Sequence, residues 1–276
     1  MSGTLGDALR RLQGRVGRLE ARLLVEHVTG YRHADLIARP ETPLAPEHGQ
    51  TLEQLVGRRE AGEPLAYLLG VAEFMGRPFR VSPAVLIPRP ETAHLVELAV
   101  ARLAGIPAPT VLDLGTGSGI VAISIALDCP GARVCAVDIS APALEIAGAN
   151  ARHLGAAIDF RLGDWFAPVG ATRFDVVVAN PPYVAHGDPH LDDHGLPHEP
   201  RIALTDDVPG AGGLSCIRAI VAAAPAHLQP GGWLLFEHGY DQGARSRNLL
   251  TAAGFKKTFT QPDLAGIDRI SGGQLI

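Results

Sequence analysis

The run Val111-Leu112-Asp113-Leu114-Gly115-Thr116-Gly117-Ser118-Gly119 decides the fold of this chain. Its first four residues have a mostly apolar strand pattern, and the next five form a glycine-rich turn. The apolar residues 120–127 then predict the helix behind that turn. Strand, glycine turn and helix in this order are typical of the first βαβ unit of a doubly wound sheet, where the turn backbone approaches a ligand.

A second strand pattern, residues 132–137, ends at Asp138. An acidic residue about 20 positions beyond such a turn can accept hydrogen bonds from both hydroxyls of a ribose. Ser140 is a better N-cap than Asp138 for the helix that follows, which leaves Asp138 available for a ligand. Asp113 can either accept hydrogen bonds from the turn or face the ligand. Because the turn lacks the spacing of the dinucleotide fingerprint, the pattern predicts a nucleotide-like ligand of another kind.

A third apolar strand pattern, residues 174–179, runs into Asn180-Pro181-Pro182-Tyr183. The two prolines fix φ and donate no backbone hydrogen bond, so the carbonyls of Asn180 and Pro181 can point outward. The Asn180 amide adds an acceptor and two donors, and the Tyr183 ring offers a flat face. Such a turn can hold a planar group that carries an NH₂, either an adenine amine or a carboxamide.

Strand and helix patterns alternate through the rest of this region and predict a parallel sheet covered on both faces. The predicted strands are 110–114, 132–137, 157–161, 174–179 and 232–237, and the predicted helices are 91–104, 119–128, 141–153, 213–228 and 241–253. The tail after Lys256 should supply the last strands.

The first 70 residues have a helical pattern instead. Helices are expected at 46–59 and 64–69, and an apolar stripe with spacings of three and four precedes them. Gly14 and Gly17 can split that stripe into two helices. Turn residues and β-formers after it predict a hairpin. We therefore expect a helical domain at 1–73, a β-hairpin connector at 74–88 and an α/β domain at 89–276. The stripe consists of Leu5, Leu9, Leu12, Val16, Leu19 and Leu23.

Composition limits the class of protein. The net charge of −5 and the pI of about 6.1 predict no general attraction to nucleic acid. No apolar stretch is long enough to span a bilayer, and the N-terminal residues lack the apolar segment of a secretory signal. Cys129, Cys135 and Cys216 are too few and too scattered for a disulfide framework or a zinc site. These features predict a cytoplasmic protein that does not bind membranes.

In combination, the motifs resemble the HemK/PrmC family of protein-(glutamine-N5) methyltransferases, which act on peptide chain release factors. The resemblance covers nearly the whole chain, and adenine-N6 DNA methyltransferases share only part of it. Besides the turn and Asn-Pro-Pro-Tyr, it is carried by Leu-Ala-Tyr-Leu-Leu-Gly-Val-Ala-Glu-Phe at 65–74, Val-Ser-Pro-Ala-Val-Leu-Ile-Pro-Arg-Pro-Glu-Thr at 81–92, Gly-Asp-Trp-Phe at 163–166, His-Glu-Pro at 198–200 and Phe-Glu-His-Gly at 236–239.

The resemblance implies a class I fold, Rossmann-like and dependent on S-adenosyl-L-methionine (AdoMet), with an antiparallel strand near its end and S-adenosyl-L-homocysteine as product. It implies that the helical domain recognises the release factor, and that a tryptophan lies beside the adenine. The implied catalytic residues are Asn180, Pro181, Pro182 and Tyr183, and the implied cofactor-binding residues are Gly115, Thr116, Gly117, Ser118, Gly119, Asp138, Trp165 and Asn180.

Three other functions remain open. One is an adenine-N6 nucleic-acid methyltransferase, although residues 1–73 hold nine arginines, no lysine and ten acidic residues, a poor match to DNA. Another is a glutamine methyltransferase that acts on a ribosomal protein. The third is a silent AdoMet-binding docking module, which the intact Asn-Pro-Pro-Tyr argues against.

Two further patterns invite a function that we do not expect. His186, His190, His194 and His198 recur every four residues, but Pro189, Gly195 and Pro197 prevent a continuous helix, so no metal site is expected. Gly272-Gly273-Gln274 repeats the tripeptide that the resembled family methylates, and we expect coincidence in a closing strand or tail.

Overall fold

Helices form the first part of the chain, and a mainly parallel sheet organises the second. The computed structural model describes residues 3–192 and 195–276, and it divides the chain into two units, 1–71 and 72–276. Each unit has hydrophobic core clusters of its own. Among the described residues, no helix is both long enough and apolar enough to cross a membrane.

The first unit is built from short helices. Thr4 caps the first of them in a capping box with Asp7, which is why that helix begins at Leu5. A third helix and a pair of two-residue antiparallel strands were not predicted. The elements are β1 Gly3–Thr4, α1 Leu5–Val16, α2 Arg18–Thr29, α3 His33–Ala38, β2 Pro43–Leu44, α4 Pro46–Glu60 and α5 Leu65–Leu69.

The predicted apolar stripe is wrong beyond Val16. Gly17, with φ +84°, separates α1 from α2, whereas Gly14 lies within α1. This break resets the helical phase, so Leu19 is 59% exposed instead of buried. In α2 the buried residues are Ala21, Leu24 and Val25.

The second unit alternates strands and helices as predicted. A two-stranded sheet comes first, formed by β3 Val71–Phe74 and β4 Arg77–Arg80. The remaining elements are α6 Ala93–Leu103, β5 Thr110–Leu114, α7 Ile120–Asp128, β6 Arg133–Asp138, α8 Ala141–Leu154, β7 Ile158–Leu162, β8 Phe174–Ala179, α9 Arg201–Leu204, α10 Ser215–His227, β9 Leu228–Glu237, α11 Gly243–Ala252, β10 Lys256–Pro262 and β11 Asp268–Gln274.

Seven strands form one sheet in the order β10-β11-β9-β8-β5-β6-β7. Strands β5 to β9 are parallel, and β11 lies antiparallel to β9, which confirms the expected antiparallel strand near the end. Alternate residues of β5 serve different cores: Val111 packs into one cluster and Leu112 into the other. Burial on both faces explains the nearly continuous apolar character of the central strands.

The register of the sheet places the site. Leu114 pairs with Val137 on one side and with Ala179 on the other, so the residues that follow these three lie at one edge. Ala179 also pairs with Phe236 of β9. The glycine turn, Asp138, Asn180 and Glu237 therefore meet at the carboxyl ends of the strands, where open α/β sheets bind ligands.

The Gly272-Gly273-Gln274 tripeptide belongs to β11. A Cβ atom added at Gly272 would lie 2.6 Å from Cδ2 of Leu235, and one added at Gly273 would lie 2.9 Å from Cβ of Phe255. Both glycines thus allow close packing within the sheet. The structure gives the two glycines a role in packing, and the Gln274 Nε2 donates to the Gly231 carbonyl at 2.8 Å.

Candidate active site

A cavity of about 440 Å³ lies at the carboxyl ends of β5, β6 and β8. Segments before α6 and around α9 complete its wall. Eight of the residues predicted to bind cofactor or act in catalysis line it among the described residues, including the second proline of Asn-Pro-Pro-Tyr. Gly119, Pro181 and Tyr183 do not line it. The lining residues from the predicted set are Gly115, Thr116, Gly117, Ser118, Asp138, Trp165, Asn180 and Pro182.

The glycine turn leaves its backbone open to the cavity. Gly115 has φ +70° and Gly117 has φ +56°, in the region where a side chain is strained. A Cβ atom on Gly115 would lie 3.6 Å from the Trp165 ring. Gly119 has a different reason for being glycine, because a Cβ there would lie 2.8 Å from Cδ1 of Ile123.

Asp138 joins the turn to the end of β6. One carboxylate oxygen accepts a hydrogen bond from the Gly117 N–H at 2.8 Å, and the other accepts from the Ser140 N–H at 2.9 Å. Burial raises the Asp138 pKa above its ordinary value. Ser140 caps α8 by accepting from the Ala143 N–H, as predicted. A carboxylate has about four acceptor sites, so Asp138 keeps capacity for a ligand.

Asp113 lies beneath the turn and is almost fully buried. It accepts from the Thr116 hydroxyl at 2.7 Å and from the Ala122 N–H at 3.2 Å. Burial raises its pKa to about 7. Of the two predicted alternatives, the structure shows that Asp113 supports the turn and the start of α7 while also bordering the cavity.

Trp165 borders the cavity in an unusual backbone conformation. Its φ is +38°, which is uncommon for a bulky residue and costs free energy. The indole packs against the core cluster that contains Val177 and approaches Gly115. A flat aromatic face is thereby held beside the turn.

A hydrogen-bonded network lies behind Asn180. The Asn180 Nδ2 donates to Oγ1 of Thr92 at 3.3 Å, and the Thr92 hydroxyl donates to Oε2 of Glu237 at 2.7 Å. The Tyr183 hydroxyl donates to the other Glu237 oxygen at 3.0 Å. Burial raises the Glu237 pKa to about 7, and burial with the Glu237 charge raises the Tyr183 pKa.

Sequence reasoning assigned no role to Thr92 or Glu237. Both fall in segments that carry the family resemblance, yet 145 positions separate them along the chain. Glu237 could have been found from its place as an acidic residue at the end of an apolar strand, which is the pattern that identified Asp138. Tyr183 is a partner of Glu237 in this structure, and its role as a stacking face stays a prediction.

Glu199 links the segment before α9 to the segment before α6 through hydrogen bonds. Its carboxylate accepts from Nη2 of Arg89 at 2.6 Å and from the Ile87 N–H at 3.0 Å. The Glu199 side chain is almost fully buried, so its carboxylate is shielded from solvent, whereas the Arg89 side chain is 30% exposed. These contacts join the segment before α6 to the segment before α9, and both segments contribute residues that line the cavity.

The histidine repeat lies mostly on the surface. His186 contacts Asp207, and His190 contacts Asp188, each through Nδ1. His194 lies outside the described residues. Within residues 3–192 and 195–276, no group of three or more histidine, cysteine or acidic side chains is arranged to hold a metal ion.

Comparison with known proteins adds evidence independent of this geometry. The model of the PrmC N-terminal domain matches residues 5–70, and the methyltransferase small domain matches residues 94–193. A release factor glutamine methyltransferase from Bordetella pertussis is 51% identical, covering 94% of this chain and 95% of that protein. Another, from Neisseria gonorrhoeae, is 49% identical and covers 93% of both chains.

Solved structures support the architecture. The ribosomal protein L11 methylase of Lactobacillus delbrueckii subsp. bulgaricus matches with a TM-score of 0.52 and 23% identity, covering 72% of this chain and 86% of that one. At this identity the match concerns the fold alone. The second unit has the class I methyltransferase fold that the sequence predicted.

Proposed function

The chain belongs to the family of release factor glutamine methyltransferases. On this premise we propose the methyl donor and the acceptor atom of its reaction. It transfers a methyl group from AdoMet to the side-chain amide nitrogen, N5, of the glutamine in the Gly-Gly-Gln motif of peptide chain release factors. The observation that carries this assignment is the position of Asn180, which borders the cavity with its amide nitrogen already bonded to Thr92.

The residues around the cavity fit AdoMet. A volume of about 440 Å³ is suited to a nucleoside-sized ligand. Asp138 offers carboxylate oxygens to ribose hydroxyls, and Trp165 offers an aromatic face for an adenine. The open backbone of Gly115 and Gly117 permits close approach. When bound, AdoMet supplies an electrophilic methyl group on a positively charged sulfur.

The Asn-Pro-Pro-Tyr turn prepares the acceptor. An amide nitrogen is a poor nucleophile because its lone pair is delocalised into the carbonyl. The Oδ1 of Asn180, which borders the cavity, and the carbonyl of Pro181, a residue that does not line it, are the proposed acceptors of hydrogen bonds from the two N–H groups of the glutamine. These hydrogen bonds favour a more pyramidal nitrogen. These contacts position the nitrogen and strengthen as positive charge develops on it. The methylated nitrogen is acidic and can lose its proton to water, so no protein base is required.

The helical unit is the proposed docking element for the release factor. It has its own core of buried leucine, valine and alanine side chains, separate from the core clusters around the sheet. Its charge, nine arginines against ten acidic residues over positions 1–73, suits a protein partner better than DNA. This leaves the other glutamine methyltransferase function, on a ribosomal protein, as the alternative to be tested.

A labelling experiment distinguishes these substrates. The purified protein and isotope-labelled AdoMet are incubated separately with a release factor, a ribosomal protein and DNA, and mass spectrometry locates the label. We expect one methyl group on the glutamine of Gly-Gly-Gln. A release factor with that glutamine replaced by alanine is the matched control. Label in DNA or ribosomal protein but not in the release factor would refute the proposal.

A further inference from the structure

We propose that Glu237 is a positioning residue that determines which atom of the Asn180 amide faces the methyl acceptor; this rests on the function proposed above. An asparagine amide carries an oxygen and an NH₂ on one carbon, and a half-turn exchanges them. Only the oxygen can accept a hydrogen bond from a glutamine NH₂. An enzyme that uses this turn therefore needs contacts that fix the amide's orientation.

The hydrogen bonds behind Asn180 fix the amide in one orientation, because the donor and the acceptor of each bond cannot be exchanged while Glu237 is ionised. An ionised Glu237 has no hydrogen to give, so the hydroxyls of Tyr183 and Thr92, at 3.0 and 2.7 Å, must both donate to it. Thr92 has thereby used its single hydrogen. It can only accept from Asn180, whose Nδ2 lies 3.3 Å away, and Oδ1 is left for the acceptor.

Adding a proton to Glu237 removes this constraint. The protonated carboxyl group can donate to Thr92, and the Thr92 hydroxyl is then free to donate to Oδ1 of Asn180. In that arrangement Asn180 presents its NH₂ to the NH₂ of the glutamine, and two donors face each other. The orientation of the amide is thus coupled to the charge of a carboxyl group that never touches the substrate.

The surroundings of Glu237 place this change near neutral pH. Burial and the charge of Glu91 raise its pKa, whereas bonds from Thr92 and Tyr183 and the charge of Arg269 lower it, with a result of about 7. Tyr183 keeps its proton, because its own pKa is raised. Methyl transfer should increase as the pH rises through the Glu237 pKa.

Asp113 must be separated from this effect, because its pKa is also raised to about 7. It supports the glycine turn, so its titration would change cofactor affinity. Measuring single-turnover transfer at saturating AdoMet removes that contribution. If a change at Glu237 alone then removes the pH dependence of methyl transfer, that dependence is assigned to Glu237 and not to Asp113.

The test compares Glu237→Gln with wild type on a release factor between about pH 5.5 and about pH 9. Wild type should lose activity below about pH 7. Glutamine can donate to Thr92 at any pH, so the variant should be slower by about 100-fold at pH 8. It should also lack the acid limb of the pH profile, which is the decrease in rate toward low pH. Its AdoMet affinity should stay within about threefold of wild type, since it makes no bond to the turn. Glu97→Gln, at an exposed position in α6, is the matched control.

A change at Thr92 tests the link itself. Thr92→Val removes the hydroxyl and should abolish the acid limb, and Thr92→Ser should recover the limb that Thr92→Val loses. Loss of a merely structural contact would lower the melting temperature without removing a pH dependence. Replacing the buried charge of Glu237 by a neutral amide should leave the protein folded, which thermal denaturation at pH 8 checks.

A second readout does not depend on activity. In protein labelled with ¹⁵N, the side-chain NH₂ resonances of Asn180 should shift with a midpoint near pH 7 in wild type and remain constant in Glu237→Gln. Wild-type rates in Glu237→Gln, or a persistent acid limb in it, would overturn the inference. If wild type methylates no release factor, the proposed function fails, and the resonance titration alone decides the role of Glu237.

Discussion

At the cofactor end of the cavity, Asp138 is the residue whose change should be easiest to measure. Its carboxylate holds Gly117 and Ser140 in place and has capacity left for ribose hydroxyls. Asp138→Asn should weaken AdoMet binding, because each hydrogen bond to a charged group contributes about 1.5–3 kcal/mol. Isothermal titration calorimetry measures this loss directly.

The control is Asp159→Asn, which changes a carboxylate on the neighbouring strand β7 that is 56% exposed. That variant should bind AdoMet like wild type. An Asp138→Asn protein that is folded and keeps wild-type affinity would show that the ribose assignment is wrong.

The residues of the site differ in how far the sequence could predict them. Asp138 and Asn180 each follow an apolar strand pattern, so their place at the edge of the sheet could be predicted from chain order alone. Thr92 could not be assigned, because its contact with Glu237 depends on how α6 packs against β9, which no local pattern encodes. The bond from the Tyr183 hydroxyl to the buried carboxylate of Glu237 could not be predicted either, because it joins residues far apart in the sequence. The role of the Tyr183 ring as a flat face for the ligand stays a prediction.

At the scale of the elements, the glycines of the first helices offer a paired test. Gly14 lies exposed within α1, and Gly17 has φ +84° and ψ 165° between α1 and α2; neither has an atom within 4 Å of an added Cβ. Gly14→Ala should increase the free energy of unfolding by about 0.4–1 kcal/mol. Gly17→Ala should decrease it by about 1–3 kcal/mol, because its backbone conformation is almost exclusive to glycine.

Chemical denaturation of the two variants measures both changes, and each serves as the control for the other. Equal effects of the same sign would contradict the assigned break at Gly17.

The strands show why some elements were predicted well and others were not. Strand β5 was predicted at its observed bounds, Thr110–Leu114, because strands buried on both faces are continuously apolar. Strand β9 begins at Leu228, four residues earlier than expected. The sequence after Leu228 is typical of a turn, since it consists of Gln229, Pro230 and two glycines. These residues nevertheless lie within β9, and the pairing with β8 has a register shift between Phe174 and Val176. Tertiary pairing overrides local preference there.

At the scale of the whole molecule, the two units should be separable in function. Each has its own hydrophobic core, and the residues that line the cavity all belong to the second unit. Deleting residues 1–70 should abolish methylation of an intact release factor while leaving AdoMet binding measurable. Circular dichroism verifies that the fragment is folded, and full activity of the fragment on the intact factor would contradict the docking role.

The central claim is that the Asn180 amide holds the nitrogen that receives the methyl group. The most direct measurement is the single-turnover rate of Asn180→Ala on a release factor at saturating AdoMet. We expect a decrease of about 100- to 1,000-fold, the cost of one contact that stabilises developing charge. AdoMet affinity should fall less, because the glycine turn and Asp138 remain. Asn180→Asp keeps an acceptor oxygen and should retain more activity than Asn180→Ala. A rate close to wild type in Asn180→Ala would contradict the account.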